Sequence, residues 1–462
     1  GFGKGGKTLA VFLAKQAQSV AMIEKSKHMY GGTCINIACI PSKSLEYYAK
    51  QSKNQHFKNY EEQNQFYQNS IKQKNSLTSK LRAKNYENLN VHKTIKIFNG
   101  IASFLSSTEI KIRTDENGQI NETIIQGDKI FINTGTLPNI PKNISNIKQN
   151  KYIYTSTTLM ELKSLPKTLI IIGGGYIGLE FASIYTNFGS KVTIFESGSI
   201  FLSHEDEDIS KVVYDTLTKR GIHIIMNVKI ENINLNKIIY RCESTENKTQ
   251  EADAILVAIG RHANIDELNL DKIGIKITKN NFIQVNEKLE TTTKNIWAIG
   301  DVNGGPQFTY ISLDDYRIIR DQLLTNNKQQ TTNSNNNNNN NTLTTRKYIP
   351  YSIYIDPELS RIGLTEKEAI KAGYELKIFK KLTLTIPRAH QIEELDGLVK
   401  IIVDSKTNLI IGASLYCSYS SEVINIIRLA MLTNQSYIFL RDFIYTHPSM
   451  SEMFNDLLSE SL

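Results

Sequence analysis

The stretch of this sequence that most constrains its fold is a short apolar run that leads into a glycine-rich turn. Residues 168–172 read Thr-Leu-Ile-Ile-Ile, which is typical of a strand buried on both faces of a parallel sheet. Residues 173–178 then carry glycines in the G-x-G-x-x-G spacing, which lets a backbone approach a pyrophosphate. A helix is expected over 179–188 and a second strand over 191–195. The pattern predicts a strand–helix–strand unit that binds a dinucleotide.

An acidic residue at the end of the second strand indicates which dinucleotide is bound. Glu196 follows the first glycine of the turn by 23 residues. A carboxylate there accepts a hydrogen bond from the ribose 2′-hydroxyl of NADH and repels the extra phosphate of NADPH. We therefore expect NADH, with NADPH as the alternative, at Gly173, Gly175, Tyr176, Gly178, Glu196 and Gly260.

A second turn with the same spacing opens the chain. Gly1-Phe-Gly-Lys-Gly-Gly fits G-x-G-x-x-G, and Glu24 again follows the first glycine by 23 residues. An amphipathic helix is expected over residues 8–18. The dinucleotide fold needs a strand before such a turn, and the sequence has none here. We interpret the chain as truncated at its N-terminus, where a targeting peptide could also have been lost.

Two cysteines follow the first turn in the stretch Gly-Gly-Thr-Cys-Ile-Asn-Ile-Ala-Cys-Ile-Pro-Ser-Lys. Cys34 and Cys39 have four residues between them, so that their thiols can meet across one distorted helical turn. The pair could be half of a zinc site, but no second Cys/His pair has ligand spacing. The two could also be buried free thiols, although glycine, proline and lysine flank them. With two nucleotide motifs in the same chain, the pair favours redox chemistry, with electrons passing from a nicotinamide through a flavin to a disulfide.

Composition and charge exclude several other classes of protein. The chain has 462 residues and a net charge of +8 that is spread along the sequence, which argues against a nucleic-acid partner. No apolar run is long enough to predict a membrane span. Four cysteines are too few for a secreted disulfide scaffold, so we expect a cytoplasmic, reducing location and no structural metal.

The length predicts several domains. We place a first dinucleotide-binding domain at residues 1–150, a second at 151–268, a segment that returns to the first at 269–335, and a last domain at 346–462. The polar stretch 325–347 contains seven consecutive asparagines and is expected to be a disordered surface loop or linker.

Three further local motifs are weak evidence for a functional site when each is considered alone. His447 and Glu452 could be a base and its orienting carboxylate, but a lone histidine before proline is more often structural. Gly300 and Asp301 follow an apolar strand and offer a carboxylate to a sugar-like chain, or they form an ordinary turn. Residues 129–134 read as a strand that leads into a turn at Gly135.

Taken together, these ordered motifs resemble the flavin-dependent pyridine nucleotide–disulfide oxidoreductases, the family of glutathione reductase, dihydrolipoamide dehydrogenase and mercuric reductase. The resemblance implies an α/β chain with two Rossmann-like, three-layer dinucleotide-binding domains and a C-terminal α+β dimerisation domain, assembled as a homodimer. It also implies FAD bound along Gly1, Gly3, Gly6, Glu24, Lys43, Thr134, Gly135, Gly300 and Asp301, with NADH on the second turn.

The same resemblance implies residue roles. Lys43 and Glu180 would pair near flavin N5. Cys39 would stay against the flavin as the charge-transfer thiolate, and Cys34 would attack the substrate. His447 from the partner subunit, oriented by Glu452, would move the proton.

Two departures from the family pattern concern the dithiol segment and the C-terminus. Ala38 stands where many relatives have glycine, so the turn before Cys39 is expected to be tighter. No cysteine pair follows Cys417, which argues against mercuric reductase.

Several stretches, among them 29–37, 307–317 and 446–452, are similar to a bacterial family member associated with copper(II) and hypothiocyanite as electron acceptors. We therefore expect an NAD(P)H-driven oxidoreductase that reduces an oxidant or metal ion in oxidative-stress defence. Two alternatives stay open: dihydrolipoamide dehydrogenase, and an inactive, flavin-free interaction protein.

Overall fold

The N-terminal part of the chain combines a glycine-rich helix start with two separate parallel strand pairs. The computed structural model describes residues 1–116, 118–141, 150–242, 246–328 and 341–459. The helices here are α1 (Lys4–Lys15), α2 (Gly32–Asn36), α3 (Cys39–Lys53) and α4 (Tyr60–Asn90). The strands are β1 (Val20–Glu24), β2 (Ile95–Asn99), β3 (Ile101–Phe104), β4 (Glu109–Glu116), β5 (Gln119–Gln126), β6 (Ile130–Ile132) and β7 (Thr136–Pro138).

In this part β1 pairs with β2, β6 pairs in parallel with a later strand, and β3, β4 and β5 form an antiparallel sheet. Helix α1 begins at Lys4, four residues before the predicted start. The difference arises because Gly3 has the extended backbone of an N-cap, and Gly5 and Gly6 then lie inside the helix.

The second part contains the strand–helix–strand unit that the sequence predicts. Its elements are β8 (Ile153–Thr155), α5 (Ser156–Leu159), β9 (Thr168–Ile172), α6 (Tyr176–Phe188), β10 (Lys191–Phe195), α7 (Glu207–Lys219), β11 (His223–Ile225), β12 (Lys229–Asn234), β13 (Lys237–Arg241), β14 (Lys248–Glu251), β15 (Ala254–Val257) and β16 (Arg261–Ala263). The parallel sheet has the strand order β11-β10-β9-β15-β8.

The central strand β9 is buried on both faces, as its continuous apolar sequence predicts. Leu169 and Ile171 pack in the core that includes helix α6, while Ile170 and Ile172 pack against Val228 and the antiparallel sheet β12-β13-β14. The parallel sheet therefore lies between helices on one side and a small antiparallel sheet on the other, which gives the three-layer arrangement.

A return segment joins the first part, and an antiparallel sheet ends the chain. The return elements are β17 (Ile296–Ala298), which pairs with β6, and α8 (Thr309–Lys328). The last elements are β18 (Tyr351–Ile353), β19 (Leu359–Gly363), α9 (Glu366–Lys371), β20 (Leu376–Leu382), α10 (Pro387–Gln391), β21 (Leu398–Asp404), β22 (Ile410–Tyr416), α11 (Ser420–Leu432), α12 (Tyr437–Arg441) and α13 (Met453–Leu457).

The final sheet has the order β18-β19-β22-β21-β20, and α11, α12 and α13 pack into its core. The α/β architecture is therefore confirmed, with two dinucleotide-binding units and an α+β C-terminal unit. Most of the predicted polar loop, including the asparagines up to 340, lies outside the described residues. Among the residues that are described, no helix is both long and apolar enough to cross a bilayer.

A buried lysine joins the second unit to the C-terminal sheet. Lys400 on β21 is 1% exposed, and its Nζ lies 3.0 Å from Asp206 Oδ2 and 3.0 Å from Asp208 Oδ1 at the start of α7. It also contacts Glu366 at the start of α9. Three carboxylates around one ammonium compensate the charge that burial would otherwise make costly.

Replacement of this lysine is expected to destabilise the protein strongly. Lys400→Met leaves the carboxylates without their central cation, at a cost of about 3 kcal/mol. Lys406→Met, which breaks an exposed ion pair with Glu375, is the matched control and should cost less than about 1 kcal/mol. Urea unfolding followed by circular dichroism measures both; equal midpoints for the two variants would contradict this account.

Candidate functional site

A single cavity of about 2000 Å³ brings together most of the residues that the sequence singles out. It is lined by both cysteines and by parts of the first glycine turn, of α3, of α6 and of the start of α8. The predicted site residues in its wall are Gly1, Gly3, Gly6, Glu24, Cys34, Cys39, Lys43, Thr134, Gly135, Tyr176, Glu180 and Asp301. Gly300, Gly173, Gly175, Gly178, Glu196, Gly260, His447 and Glu452 are not part of this lining.

The first glycine turn is held by an asparagine that the sequence analysis did not identify. A Cβ on Gly1 would lie 2.3 Å from the Asn133 carbonyl oxygen, and one on Gly3 would lie 2.7 Å from Asn133 Oδ1. The Gly6 amide donates to Asn133 Oδ1 at 3.0 Å, and Asn133 Nδ2 donates to the Ile299 carbonyl at 2.7 Å. Side chains at these glycines would collide with Asn133, so the turn needs glycine for packing as well as for ligand approach.

Two further features of this turn fit a dinucleotide. Glu24 ends β1, and its carboxylate accepts hydrogen bonds from the amides of Phe2 and Ser26 at 3.0 and 3.3 Å. Thr134 Oγ1 is buried and has no hydrogen-bond partner among the described residues. A buried hydroxyl without a partner is costly unless a ligand supplies one. The residues present therefore fit the FAD that the motif implies.

The two thiols of the cysteine pair lie on consecutive short helices. Cys34 belongs to α2 and Cys39 is the first residue of α3, with Ala38 as the N-cap in a non-helical conformation. Both are free thiols in this structure. Thr309 Oγ1, at the first residue of α8, lies 3.6 Å from Cys39 Sγ. The helix break therefore directs both sulfurs to the same point in the cavity wall.

The two thiols have opposite acidities because they share a hydrogen bond. Donation from the Cys34 thiol lowers the pKa of Cys39 to about 6, and the Thr309 hydroxyl and the Lys43 charge act in the same direction. The same hydrogen bond, together with burial, raises the pKa of Cys34 far above its usual range. The pair titrates as one unit that holds one proton and one negative charge at neutral pH.

Lys43 and Glu180 form an ion pair beside the dithiol. Their Nζ and Oε2 atoms are 2.6 Å apart, with side-chain exposures of 30% and 13%. Glu180 Oε1 accepts a hydrogen bond from the Tyr354 amide at 3.0 Å, and Lys43 Nζ lies 4.6 Å from the centre of the Tyr354 ring. The pair connects α3, α6 and the C-terminal unit at the cavity.

The second glycine turn lies in the second dinucleotide-binding unit, where a carboxylate accepts hydrogen bonds from its backbone. Glu196 accepts hydrogen bonds from the amides of Gly174 and Gly198, both at 2.7 Å. A Cβ on Gly178 would lie 2.0 Å from the Gly173 carbonyl oxygen, whereas one on Gly175 would meet no atom within 4 Å. Gly178 is therefore needed for packing, while Gly175 leaves open space above the backbone for a ligand.

Tyr176 connects this turn to the cavity through aromatic contacts that the sequence did not predict. Its ring stacks on Tyr351 of β18 with centroids 5.3 Å apart. Glu205 Oε1 accepts hydrogen bonds from the hydroxyls of Tyr351 at 2.5 Å and Tyr176 at 3.4 Å. Burial raises the pKa of Glu205, which lies near Arg361. Gly260, which the sequence analysis assigns to the NADH site, lies after β15 in the left-handed region with φ +96°.

Asp301 lies in a short turn after β17, where burial raises its pKa. Thr136 Oγ1 lies 3.4 Å from its Oδ2, and Arg261 donates to the same threonine from Nε at 2.8 Å. The preceding Gly300 has φ +73° and donates its amide to Asp315 Oδ2 at 2.7 Å. The carboxylate thus faces the cavity from an ordered turn, as a residue that binds a sugar-phosphate chain requires.

His447 and Glu452 form the predicted pair and are not part of the cavity lining of their own chain. His447 Nδ1 lies 2.7 Å from Glu452 Oε2, and the histidine side chain is 74% exposed. Glu452 Oε1 also accepts the Ser449 amide at 3.2 Å, which fixes the carboxylate. Exposed apolar residues lie nearby in the sequence, including Phe439, Phe443 and Ile444. The histidine is oriented, and it is accessible to a second molecule.

Comparisons with known families match nearly the whole chain. Residues 1–315 match the pyridine nucleotide-disulphide oxidoreductase family, and residues 349–458 match the dimerisation domain of the same family.

Similar relatives include the probable pyridine nucleotide-disulfide oxidoreductase RclA of Escherichia coli, which is 43% identical over 99% of this chain and 97% of its own length. A dihydrolipoyl dehydrogenase of Buchnera aphidicola is 31% identical, with coverage of 98% and 92%. A mercuric reductase of Lysinibacillus sphaericus is 30% identical, with coverage of 93% and 76%.

Solved structures agree with these matches. The HOCl-induced flavoprotein disulfide reductase RclA from Escherichia coli superposes with a TM-score of 0.88 at 42% identity, covering 99% of this chain and 98% of that one. A Cu(II) complex of the same reductase superposes with a TM-score of 0.90 at 42% identity, covering 99% and 97%.

Two glycines of the second turn should respond differently to alanine. Gly178→Ala forces the backbone apart and is expected to lower the melting temperature and abolish flavin reduction by NADH. Gly175→Ala should fold normally and raise KM for NADH, because its methyl group occupies ligand space. Thermal unfolding and stopped-flow reduction measure the two effects. A normal KM for Gly175→Ala would show that NADH does not bind against the backbone at Gly175.

Loss of the Thr309 hydroxyl should raise the pKa of the Cys39 thiol. Because Thr309 helps to lower the pKa of Cys39, Thr309→Val is expected to raise that pKa by about one unit. The thiolate, present above about pH 6 in the wild type, would then appear at higher pH. The measurement is a pH titration of the long-wavelength absorbance of the reduced holoenzyme. Thr309→Ser is the control and should titrate like the wild type.

Proposed function

Because the chain belongs to the pyridine nucleotide-disulphide oxidoreductase family, we propose that Cys34 and Cys39 carry electrons from NADH to an oxidant or metal-ion acceptor. Members of this family are flavoproteins that use FAD with NAD(P)H, and this chain is such an enzyme, which sets aside an inactive, flavin-free protein. The observation that supports the proposal most is that Cys34 and Cys39 line one cavity, where Thr309 Oγ1 lies 3.6 Å from Cys39 Sγ and Lys43 is paired with Glu180.

We propose the following division of the chain. Residues 1–150 and 269–335 bind FAD, 151–268 bind NADH, and 346–462 form the dimer contact. Within the first region, the glycine turn, Glu24, Thr134 and Asp301 are the groups that would hold the cofactor. When bound, FAD would supply the capacity to take up a hydride from the nicotinamide and to donate two electrons to the disulfide.

The residues of this chain then act on protons and charge. Opening of the Cys34–Cys39 disulfide by two electrons leaves two sulfurs that share one proton, with the negative charge mainly on Cys39. Lys43, itself paired with Glu180, compensates this charge from the cavity wall. Cys34 is the sulfur left to attack an acceptor, and closing the disulfide again passes two electrons to one two-electron oxidant or to two copper(II) ions.

The proton of Cys34 needs an acceptor, and no histidine among the described residues lines the cavity. His447 is oriented by Glu452 and is exposed, which suits a base that enters the site of a second subunit. The dimerisation domain supports a homodimer. We propose that each complete site combines the dithiol of one protomer with His447 of its partner.

Several observations guide the choice of nucleotide, acceptor and location. Glu196 favours NADH over NADPH at the second turn. The similar reductase of Escherichia coli is described as HOCl-induced and was solved in complex with Cu(II). We propose an acceptor of the hypothiocyanite or copper(II) type and a role in oxidative-stress defence. The small number of cysteines, four in the chain, also suits a reducing, cytoplasmic location, which we propose.

An acceptor panel tests this choice. The holoenzyme with NADH is expected to turn over hypothiocyanite or copper(II) faster than lipoamide, and NADH is expected to be used in preference to NADPH. Cys34→Ser should keep flavin reduction by NADH but lose turnover of the acceptor. Lipoamide as the fastest acceptor would instead support dihydrolipoamide dehydrogenase.

Mixed dimers test the shared site. Cys34→Ser and His447→Ala homodimers are each expected to be inactive. If each site uses two subunits, hybrids of the two variants contain one intact dithiol facing one intact histidine. Random mixing by refolding or co-expression should then restore about one quarter of wild-type activity. If verified hybrids recover no activity, Cys34 and His447 must act within the same chain.

A further inference from the structure

Lys7 is a half-buried lysine of the first glycine turn for which the proposed function gives no role. It lies in the first turns of α1, where its amide donates to the Gly3 carbonyl at 3.0 Å. Its ammonium donates a hydrogen bond to Asn85 Oδ1 on α4. The Nδ2 group of Asn85 donates to the Leu81 carbonyl at 2.7 Å, so that its oxygen is held toward Lys7. The ammonium is therefore fixed in position.

This position lies against the start of the helix that carries Cys34. A Cβ on Gly31 would lie 3.3 Å from the carboxamide carbon of Asn85, which places Asn85 beside that turn. A Cβ on Gly32, the first residue of α2, would lie 2.5 Å from Gly3 Cα. The first turn of α2 is thus packed directly on α1 and α4. The group that holds the Lys7 ammonium also contacts the turn that leads to Cys34.

The charge of Lys7 is not compensated by a carboxylate. Within the described residues, Lys7 forms no salt bridge, and its neighbours are the amide of Asn85 and the charges of Lys4 and Cys34. Lys43, on the other side of the dithiol, is paired with Glu180 at 2.6 Å. An uncompensated charge in a half-buried position acts on its neighbours more strongly than a paired one.

Where the negative charge of the reduced dithiol lies depends on which sulfur holds the shared proton. The arrangement Cys34–SH with Cys39–S⁻ changes into Cys34–S⁻ with Cys39–SH when the proton moves between them, and no other atom or electron is transferred. Only the second arrangement makes Cys34 a nucleophile toward an acceptor. A cation near Cys34 and a cation near Cys39 pull this charge in opposite directions.

We propose that Lys7 is a positioning residue that draws the single negative charge of the reduced pair toward Cys34 and so activates it against the acceptor. The inference rests on the proposed roles of the two cysteines. Lys7 and Cys34 act on each other electrostatically, each favouring the charged form of the other. Lys43 and Thr309 oppose Lys7 by favouring charge on Cys39.

The charge of Lys7 depends on pH in a range that can be measured. Burial, with repulsion from Lys4, lowers the pKa of Lys7 to about 8, against the attraction of Cys34. The Lys7 side chain is therefore positively charged below about pH 8 and mostly neutral above it. The effect of Lys7 on Cys34 should be present at pH 7 and weaker at pH 9.5.

Alkylation of the reduced holoenzyme tests the proposal. Each protein is reduced anaerobically with one equivalent of NADH and treated with iodoacetamide, whose iodide the thiolate displaces. Fragment mass spectrometry then assigns the label to Cys34 or Cys39. In Lys7→Met at pH 7, labelling of Cys34 should be about three- to tenfold slower than in the wild type. The long-wavelength absorbance of the Cys39 thiolate should increase at the same time.

Three further variants separate charge from packing. Lys7→Arg, which keeps a cation at all pH values, should label Cys34 at nearly the wild-type rate at pH 7 and faster than the wild type at pH 9.5, where Lys7 is mostly neutral. Asn85→Ala frees the ammonium without changing α1 and should slow labelling in the same direction but less. Lys15→Met removes an exposed lysine at the other end of α1 and should have no effect. Where Lys7→Met loses flavin, the arginine and Asn85 variants decide the question.

The outcomes distinguish this inference from the function on which it rests. Unchanged labelling and absorbance in Lys7→Met and Asn85→Ala, in a wild type that shows the thiolate absorbance, overturns only the role of Lys7. If labelling of Cys34 is slowed equally in Lys7→Arg and Lys7→Met, the proposed role of Lys7 is also overturned, because the loss of charge would not be the cause. A wild type without thiolate absorbance, or full acceptor turnover by Cys34→Ser, overturns the proposed function itself.

Discussion

The coupling between the thiols of Cys34 and Cys39 is the interaction on which the chemistry of this protein depends. Although the two side chains are chemically identical, it stabilises the thiolate form of Cys39 and the thiol form of Cys34. The fold provides it through the break between α2 and α3 at Ala38, which brings together sulfurs on consecutive helices. Without this break, the two sulfurs would not share one proton.

The rest of the structure surrounds this pair with groups from distant parts of the chain. Thr309 comes from the start of α8, and Glu180, which pairs with Lys43, comes from α6 of the second unit. The C-terminal unit adds the Tyr354 amide to the same ion pair. The dithiol is therefore placed where the described units meet, so that nucleotide binding in one unit and dimer formation in another can both act on it.

The parts of the site that the sequence predicted are those with a local pattern. The glycine spacing, the β9 apolar run and the four-residue separation of the cysteines each reflect a backbone requirement that repeats within a short stretch. Asn133, which fills the first turn, and Thr309, beside Cys39, were not predicted. Their partners lie more than 100 residues away in the chain, and no spacing rule connects them. The start of α1 was also placed too late, because glycine lowers helix propensity even where packing requires it.

A reductive titration tests the central claim most directly. If a flavin and one disulfide act together, the oxidised holoenzyme should take up about two equivalents of dithionite per FAD, and Cys39→Ser about one. The first equivalent should open the disulfide and produce the thiolate absorbance. The second equivalent should then reduce the flavin. Uptake of only one equivalent by the wild type would show that no disulfide exchanges electrons with the flavin and would contradict the account.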